Sequence, residues 1–274
     1  MEYSINVNGS LLQLGSPVVM GILNVTPDSF YAASRLDGER ALVKRARSML
    51  SAGASILDIG ACSTRPGGEL VSQQVELERL QSALTLLGKE FPNAVLSVDT
   101  FRADVARRCV GDYNVAIIND VSGYDWDKDM FAAVAELRVP YILTHSVKLS
   151  QYEPAVPAML KQLSQKMWEL RSAGVADVIV DPGFGFGKTL EQNYEIMSEL
   201  QEFSLLDAPL LVGISRKSMI TKLLGITAAE ALPGTMALNM VALSKGASIL
   251  RVHDVPEAVQ AISIAKALGA SFLE

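Results

Sequence analysis

The segment Asp181-Pro-Gly-Phe-Gly-Phe-Gly-Lys-Thr189 carries the most specific chemistry in this sequence. It directly follows an apolar stretch, and its three glycines alternate with bulky residues, so its backbone can approach a ligand closely. A phosphate-binding P-loop would need glycine five positions before Gly187, where Pro182 stands, so nucleotide hydrolysis is set aside. Asp181 reads instead as a pocket carboxylate. With Asp99 and Asn119 it could hold a planar heterocycle by its donor-rich edge, because a carboxylate accepts two parallel N–H bonds well. Helix capping is the other role open to Asp99 and Asp181.

Cations cluster further along the chain. Ser215-Arg216-Lys217-Ser218 and Arg251-Val-His253-Asp254 lie at the ends of two more apolar runs, a pattern suited to an anion such as phosphate. Arg251 and His253 are two apart in an extended run and face the same side. Two polar loops, Ser63-Thr64-Arg65-Pro66-Gly67-Gly68 and Asn24-Val-Thr-Pro-Asp-Ser-Phe30, are candidates for mobile lids. The only histidines, His145 and His253, lack the companions of a zinc site. Cys62 has no paired base nearby and reads as a small filler. A Schiff base on Lys217, as in an aldolase, is disfavoured by Arg216 beside it.

Eight apolar runs must position these groups: Val18–Val25, Ser55–Ala61, Val95–Thr100, Val115–Val121, Tyr141–Ser146, Val178–Asp181, Leu210–Ser215 and Ile249–Asp254. Each precedes polar residues and then a helix-like stretch, and their ends supply Asn24, Asp58, Asp99, Asn119 with Asp120, His145, Asp181, Ser215 to Lys217, and Arg251 with His253. Continuous apolar strands alternating with helices predict a (β/α)₈ barrel with its active site at the C-terminal rim. The 274 residues supply the roughly 250 that one such domain needs. Helices are expected over Glu39–Ala52, after Asp37-Gly38, and over Pro256–Leu268, which ends at Gly269. Asn8-Gly9 predicts a hairpin within residues 1–15 that closes the barrel bottom.

A net charge of −6 argues against a nucleic-acid partner. Two cysteines, Cys62 and Cys109, fit free thiols in a reducing cytosol better than a disulfide framework. With neither a leader nor a membrane-length apolar span, the expectation is a cytoplasmic protein with small-molecule substrates and no membrane partner.

Taken together, GILNVTPDSF, ILDIGACSTRPGG, SVDTFRADVA, IINDVSG, DPGFGFGKT, GISRKSMI and ILRVHDV resemble the dihydropteroate synthase family, whose members join a dihydropterin to p-aminobenzoate in folate biosynthesis. The motifs run in family order from about residue 20 to 255. The resemblance implies that Asp99, Asn119, Asp181 and Lys217 hold the pterin, that Arg251 and His253 grip the diphosphate, and that Asn24 contacts Mg²⁺. It implies that Thr64 and Arg65 approach diphosphate and aminobenzoate, and that Pro66, Phe186 and Ser218 border the aminobenzoate subsite. A homodimer and mimicry of aminobenzoate by sulfonamides are further family implications.

Two departures stand out: Thr144-His145-Ser146 replaces a usual Met-His-Met, and Cys62 stands where Glu is common. Two other readings share the pocket, a pterin-dependent methyltransferase barrel acting with a corrinoid protein and a catalytically silent pterin binder. STRPGG, SRKS and RVHD favour the synthase, since a methyl donor carries no diphosphate.

Overall fold

The computed structural model describes residues 3–26, 35–62 and 70–269. The chain opens with an antiparallel hairpin, β1 (Ser4–Val7) and β2 (Ser10–Gln13), whose two turn residues Asn8 and Gly9 both have positive φ, as a tight twisted hairpin turn requires. Eight parallel strands follow: β3 (Val18–Asn24), β4 (Ile56–Gly60), β5 (Val95–Asp99), β6 (Ile117–Asp120), β7 (Tyr141–Thr144), β8 (Val178–Asp181), β9 (Leu211–Val212) and β10 (Ile249–Val252). They pair in the order β8-β7-β6-β5-β4-β3-β10-β9, and a parallel bridge between Val180 and Leu210 closes the ring. This is the expected (β/α)₈ barrel. Its seventh strand is the shortest, and Pro209 just before it has no N–H to give the ladder.

Helices cover the outside: α1 (Arg35–Ser51), α2 (Gln73–Glu90), α3 (Ala103–Tyr113), α4 (Asp129–Leu137), α5 (Ala155–Ser172), α6 (Leu190–Ser198), α7 (Ser218–Leu224), α8 (Leu232–Ser244) and α9 (Val255–Leu268). The first begins at Arg35, before the expected Glu39, and carries Asp37 and Gly38 inside its first turns, where an acidic residue complements the helix dipole. Ser72 caps α2 by accepting from the Val75 N–H, and Thr189 with Gln192 forms a capping box on α6. No described helix is long and apolar enough to cross a membrane.

Side chains alternate across each strand. Leu57, Ile59, Leu96, Val98, Ile118, Leu143 and Val180 pack outward with Leu42, Leu84 and Met159 of the helices. The inward set divides by height. In the lower half Met20, Ile56, Ile117, Ile142, Ile179, Leu211 and Ile249 form an apolar plug, closed from below by Ile5, Val7 and Leu14 of the hairpin segment. The next inward positions up are Asp58, Ser97, Asn119, Asp181 and Arg251, so the upper half of the interior is polar. The hairpin excludes water from the plug and leaves the C-terminal rim as the way in. Ile5 is 1% exposed. Replacing Ile5→Ala should lower unfolding free energy in urea by about 2–4 kcal/mol, the usual cost of a core truncation, and a change under 0.5 kcal/mol would show that the hairpin does not seal the barrel.

Candidate active site

Asp58 is the hub of the polar half. It is fully buried in β4, and its Oδ1 accepts from Ser97 Oγ at 2.7 Å. Its Oδ2 accepts from Asn119 Nδ2 at 3.0 Å and from Arg251 Nε at 2.7 Å. Arg251 then reaches Asp99 Oδ2 with Nη2 at 2.7 Å, so one guanidinium joins strands β10, β4 and β5. Burial opposes the Arg251 cation, yet Asp58 and Asp99 hold it protonated beyond the usual arginine range. Asp99 responds differently: burial pushes its pKa up to about 7, with Arg251 opposing. Gly60 makes this crowding possible. A Cβ there would come within 3.2 Å of Asn24 Oδ1 and 3.6 Å of Asp99 Cβ.

Asp181 stands at the end of β8, 6% exposed. Burial raises its pKa, while Lys217 and the Gly183 N–H, which donates to Oδ1 at 2.7 Å, work against that shift. Lys217 sits just before α7, donates to the Phe184 carbonyl and lies 4.7 Å from the centre of the Phe186 ring. Burial draws its pKa down to about 8 and Asp181 opposes the fall. The loop between them is knitted by Lys188, whose Nζ donates to the carbonyls of His145, Gly183 and Phe186 at 2.7, 3.0 and 2.9 Å. A lysine spent on its own loop cannot cradle a phosphate, which agrees with the missing P-loop glycine. Gly183 has φ +67°, and a Cβ on it would lie 2.1 Å from the His145 carbonyl oxygen, so only glycine fits this turn.

These groups form a buried ring of acceptors with one ammonium over an aromatic ring, opening at the C-terminal rim. The family model for pterin binding enzymes matches residues 20–253. The dihydropteroate synthase of Escherichia coli K12 is 39% identical over 268 residues, covering 94% of each chain. Among solved structures, the Xanthomonas albilineans dihydropteroate synthase with 4-aminobenzoic acid superposes with a TM-score of 0.90 at 34% identity, covering 98% of this chain and 99% of the other. The same organism's enzyme in complex with 7,8-dihydropteroate gives 0.88 at 34% identity with the same coverage.

The chain belongs to the dihydropteroate synthase family. In this family member, the sequence-predicted residues divide into three groups. Asp99, Asn119, Asp181, Lys217 and Arg251 converge inside the barrel mouth. Asn24, Phe186, Ser218 and His253 stand at the strand ends around it, with Ser218 exposed and the others partly buried. Thr64, Arg65 and Pro66, with most of the Asn24–Phe30 loop, lie outside the described residues.

Arg216 takes a role its position among cations did not imply. Its guanidinium pairs in a fork with Asp254, Nε at 2.9 Å and Nη2 at 2.7 Å, and ties the loops after β9 and β10 together. Ser215 Oγ accepts from the His253 N–H at 3.2 Å, and the His253 carbonyl accepts from Arg45 at 2.6 Å. Asp120 faces the helices, where Ser122, Tyr124 and Tyr141 donate to it, and it shapes its own loop instead of the pocket. Asp58 and Ser97 are the residues to which sequence reasoning assigned no role. The available signal was a carboxylate in the middle of a fully buried strand, which demands partners.

His145 turns out to the helical layer, with Nε2 3.2 Å from Gln162 Oε1 on α5 and Nδ1 buried. Burial, reinforced by Lys188, lowers its pKa to about 4 from 6.5. The unfolded chain therefore binds a proton here that the folded chain refuses. Its contribution is complete above pH 6.5 and is lost as the pH falls through that window towards 4. Asp99 acts with the opposite sign in the same window, so the difference between wild type and His145→Gln isolates the histidine. The variant should keep about 1–2 kcal/mol more of its pH 7 stability at pH 4.5, read by urea unfolding at both pH values. Parallel losses would remove His145 from this role.

Proposed function

We propose that the chain condenses (7,8-dihydropterin-6-yl)methyl diphosphate with 4-aminobenzoate, giving 7,8-dihydropteroate and diphosphate. The observation that carries this reading is the convergence of three acceptors, buried Asn119 and Asp181 and partly buried Asp99, with Lys217 beside Phe186. A ring edge rich in N–H donors matches such a set, and ionised acceptors make its strongest bonds. Asp181 and Asp99 take the ring's N–H groups, with Asn119 and Lys217 completing the edge. Phe186 and Ser218 border the aminobenzoate, joined from the second loop by Thr64, Arg65 and Pro66.

The reaction breaks the bond between the methylene carbon and a diphosphate oxygen, whose electron pair leaves with the diphosphate. The amine nitrogen then bonds to that carbon and releases its proton to solvent. An arylamine is neutral near pH 7 and needs no strong base, so the catalytic demand falls on the leaving group. Arg251 and His253 meet the charge that develops there, a role the family resemblance also gives Arg65. The electron-rich pterin can support a positive methylene carbon, which favours departure of diphosphate before attack.

Asn24 suits the Mg²⁺ that the family resemblance implies. Its Oδ1 is a hard, neutral oxygen at the rim, and Mg²⁺ typically takes one or two protein oxygens, several waters and substrate phosphates. When bound, the ion offers Lewis-acid neutralisation of the diphosphate. The described residues contain no cluster of three His, Cys, Asp or Glu that would hold an ion by themselves. Free Cys62 and Cys109 fit the cytoplasmic setting we infer.

A homodimer completes the reading. Helix α8 carries no charged residue, and Gly234 packs it against Ile220 and Leu224 of α7. Val241 on α8, Ile264 and Leu268 on the adjacent α9, and Leu223 and Leu224 on α7 are exposed. An apolar face centred on uncharged α8 can oppose itself across a two-fold axis, with exposed Lys222 and Lys266 on the flanking helices, which supports a second copy as its partner.

Incubating the protein with both substrates and Mg²⁺ should yield dihydropteroate with equal diphosphate, read by mass spectrometry and a diphosphate assay. Asp181→Asn, which turns N–H donors towards N–H donors, should weaken binding of a pterin by about 2–4 kcal/mol in calorimetry. Turnover without diphosphate release, or an unchanged dissociation constant, would defeat the respective claim. Sedimentation velocity should report a dimer that Val241→Lys or Ile264→Asp converts to monomer, and a monomeric wild type would end that assignment.

A further inference from the structure

Asp58 cannot meet a substrate, since it is fully buried beneath the groups that do. Ser97 Oγ, Asn119 Nδ2 and Arg251 Nε all nevertheless end on its two oxygens. An ionised carboxylate only accepts. Asn119 must therefore turn its amide NH₂ to Asp58, because its Oδ1 at 3.0 Å from a carboxylate oxygen would be repelled. Its Oδ1 then points the other way. Arg251 is fixed by the same atom: with Nε on Asp58 and Nη2 on Asp58 and Asp99, its Nη1 is the edge left over.

We propose that Asp58 is a positioning residue that sets the hydrogen-bond polarity of the pocket, compelling Asn119 to offer an acceptor to the heterocycle. This rests on the pterin reading above. Without Asp58 the Asn119 amide could take either orientation, and half of those would set NH₂ against a ligand N–H. The consequence is selectivity for rings that donate at this point. A ring with a lone pair there would meet the Asn119 oxygen and leave two buried acceptors facing each other.

The alternative is that Asp58 merely balances Arg251, and a double-mutant cycle separates the two. Titration calorimetry with 6-hydroxymethyl-7,8-dihydropterin, which carries no diphosphate, should show Asp58→Asn weakening binding about 10- to 100-fold. In an Asn119→Ala background the same change should cost less than about 3-fold, since nothing remains to orient. The exchanged pair Asp58→Asn with Asn119→Asp keeps the two positions' single negative charge, leaves Asp99 on Arg251 and again directs an oxygen to the ligand. It should recover affinity to within about 10-fold of wild type, and it decides the matter even if Asp58→Asn alone fails to fold. Equal losses in both backgrounds, or no recovery in the exchanged pair, overturn the role of Asp58 alone. A wild-type protein that binds no pterin overturns the substrate assignment and this proposal with it.

Discussion

The ion pair between Asp58 and Arg251 is the interaction on which the upper half of the barrel depends. Parallel strands oblige every second side chain to face inward, and above the apolar plug those positions hold carboxylates, an amide and a guanidinium. Removing such charges from water costs several kcal/mol per ion, and only close pairing with full hydrogen bonding offsets it. Asp58 meets that demand with donors from three strands. Arg251 in turn reaches Asp99, so two carboxylates are tied through one cation and the rim remains a coherent polar surface.

The same economy governs the loops. Lys188 closes its own glycine-rich loop on three carbonyls, and Arg216 forks onto Asp254 between the last two strands. Buried Glu76 pairs with Arg102 and accepts from Thr100, fixing the start of α2 against the loop after β5. These charges do structural work at the edge of the site. Among the described residues, Lys217, held over Phe186, and the outer edge of Arg251 are cationic groups that remain for a ligand.

Function follows from how acceptors and cations are layered. The floor offers oxygens whose charged forms are strained by burial, which is visible in the raised pKa of Asp99 and Asp181. A ligand bringing N–H groups relieves that strain, while Lys217 and Arg251 beside these carboxylates suit a leaving anion. The pocket thus favours a substrate that is a donor at one end and anionic at the other, and the reaction asks mainly for charge stabilisation at the anionic end.

Much of this was legible in the sequence. Alternating apolar runs and helices implied the barrel, Asn8-Gly9 the hairpin, and the motifs at the strand ends both the family and the five residues that converge in the mouth. The period-two rule also determines which side of a strand Asp58, Asp99 and Asp181 share, because it depends only on local backbone geometry. What the tertiary structure alone decided was which charge meets which. Arg216 and Arg251 occupy similar strand-end positions, yet one is spent on Asp254 and the other spans the interior to Asp58, 193 positions away in the chain. Such partners are brought together by closure of the ring and by the shear between its strands, so no local spacing encodes them.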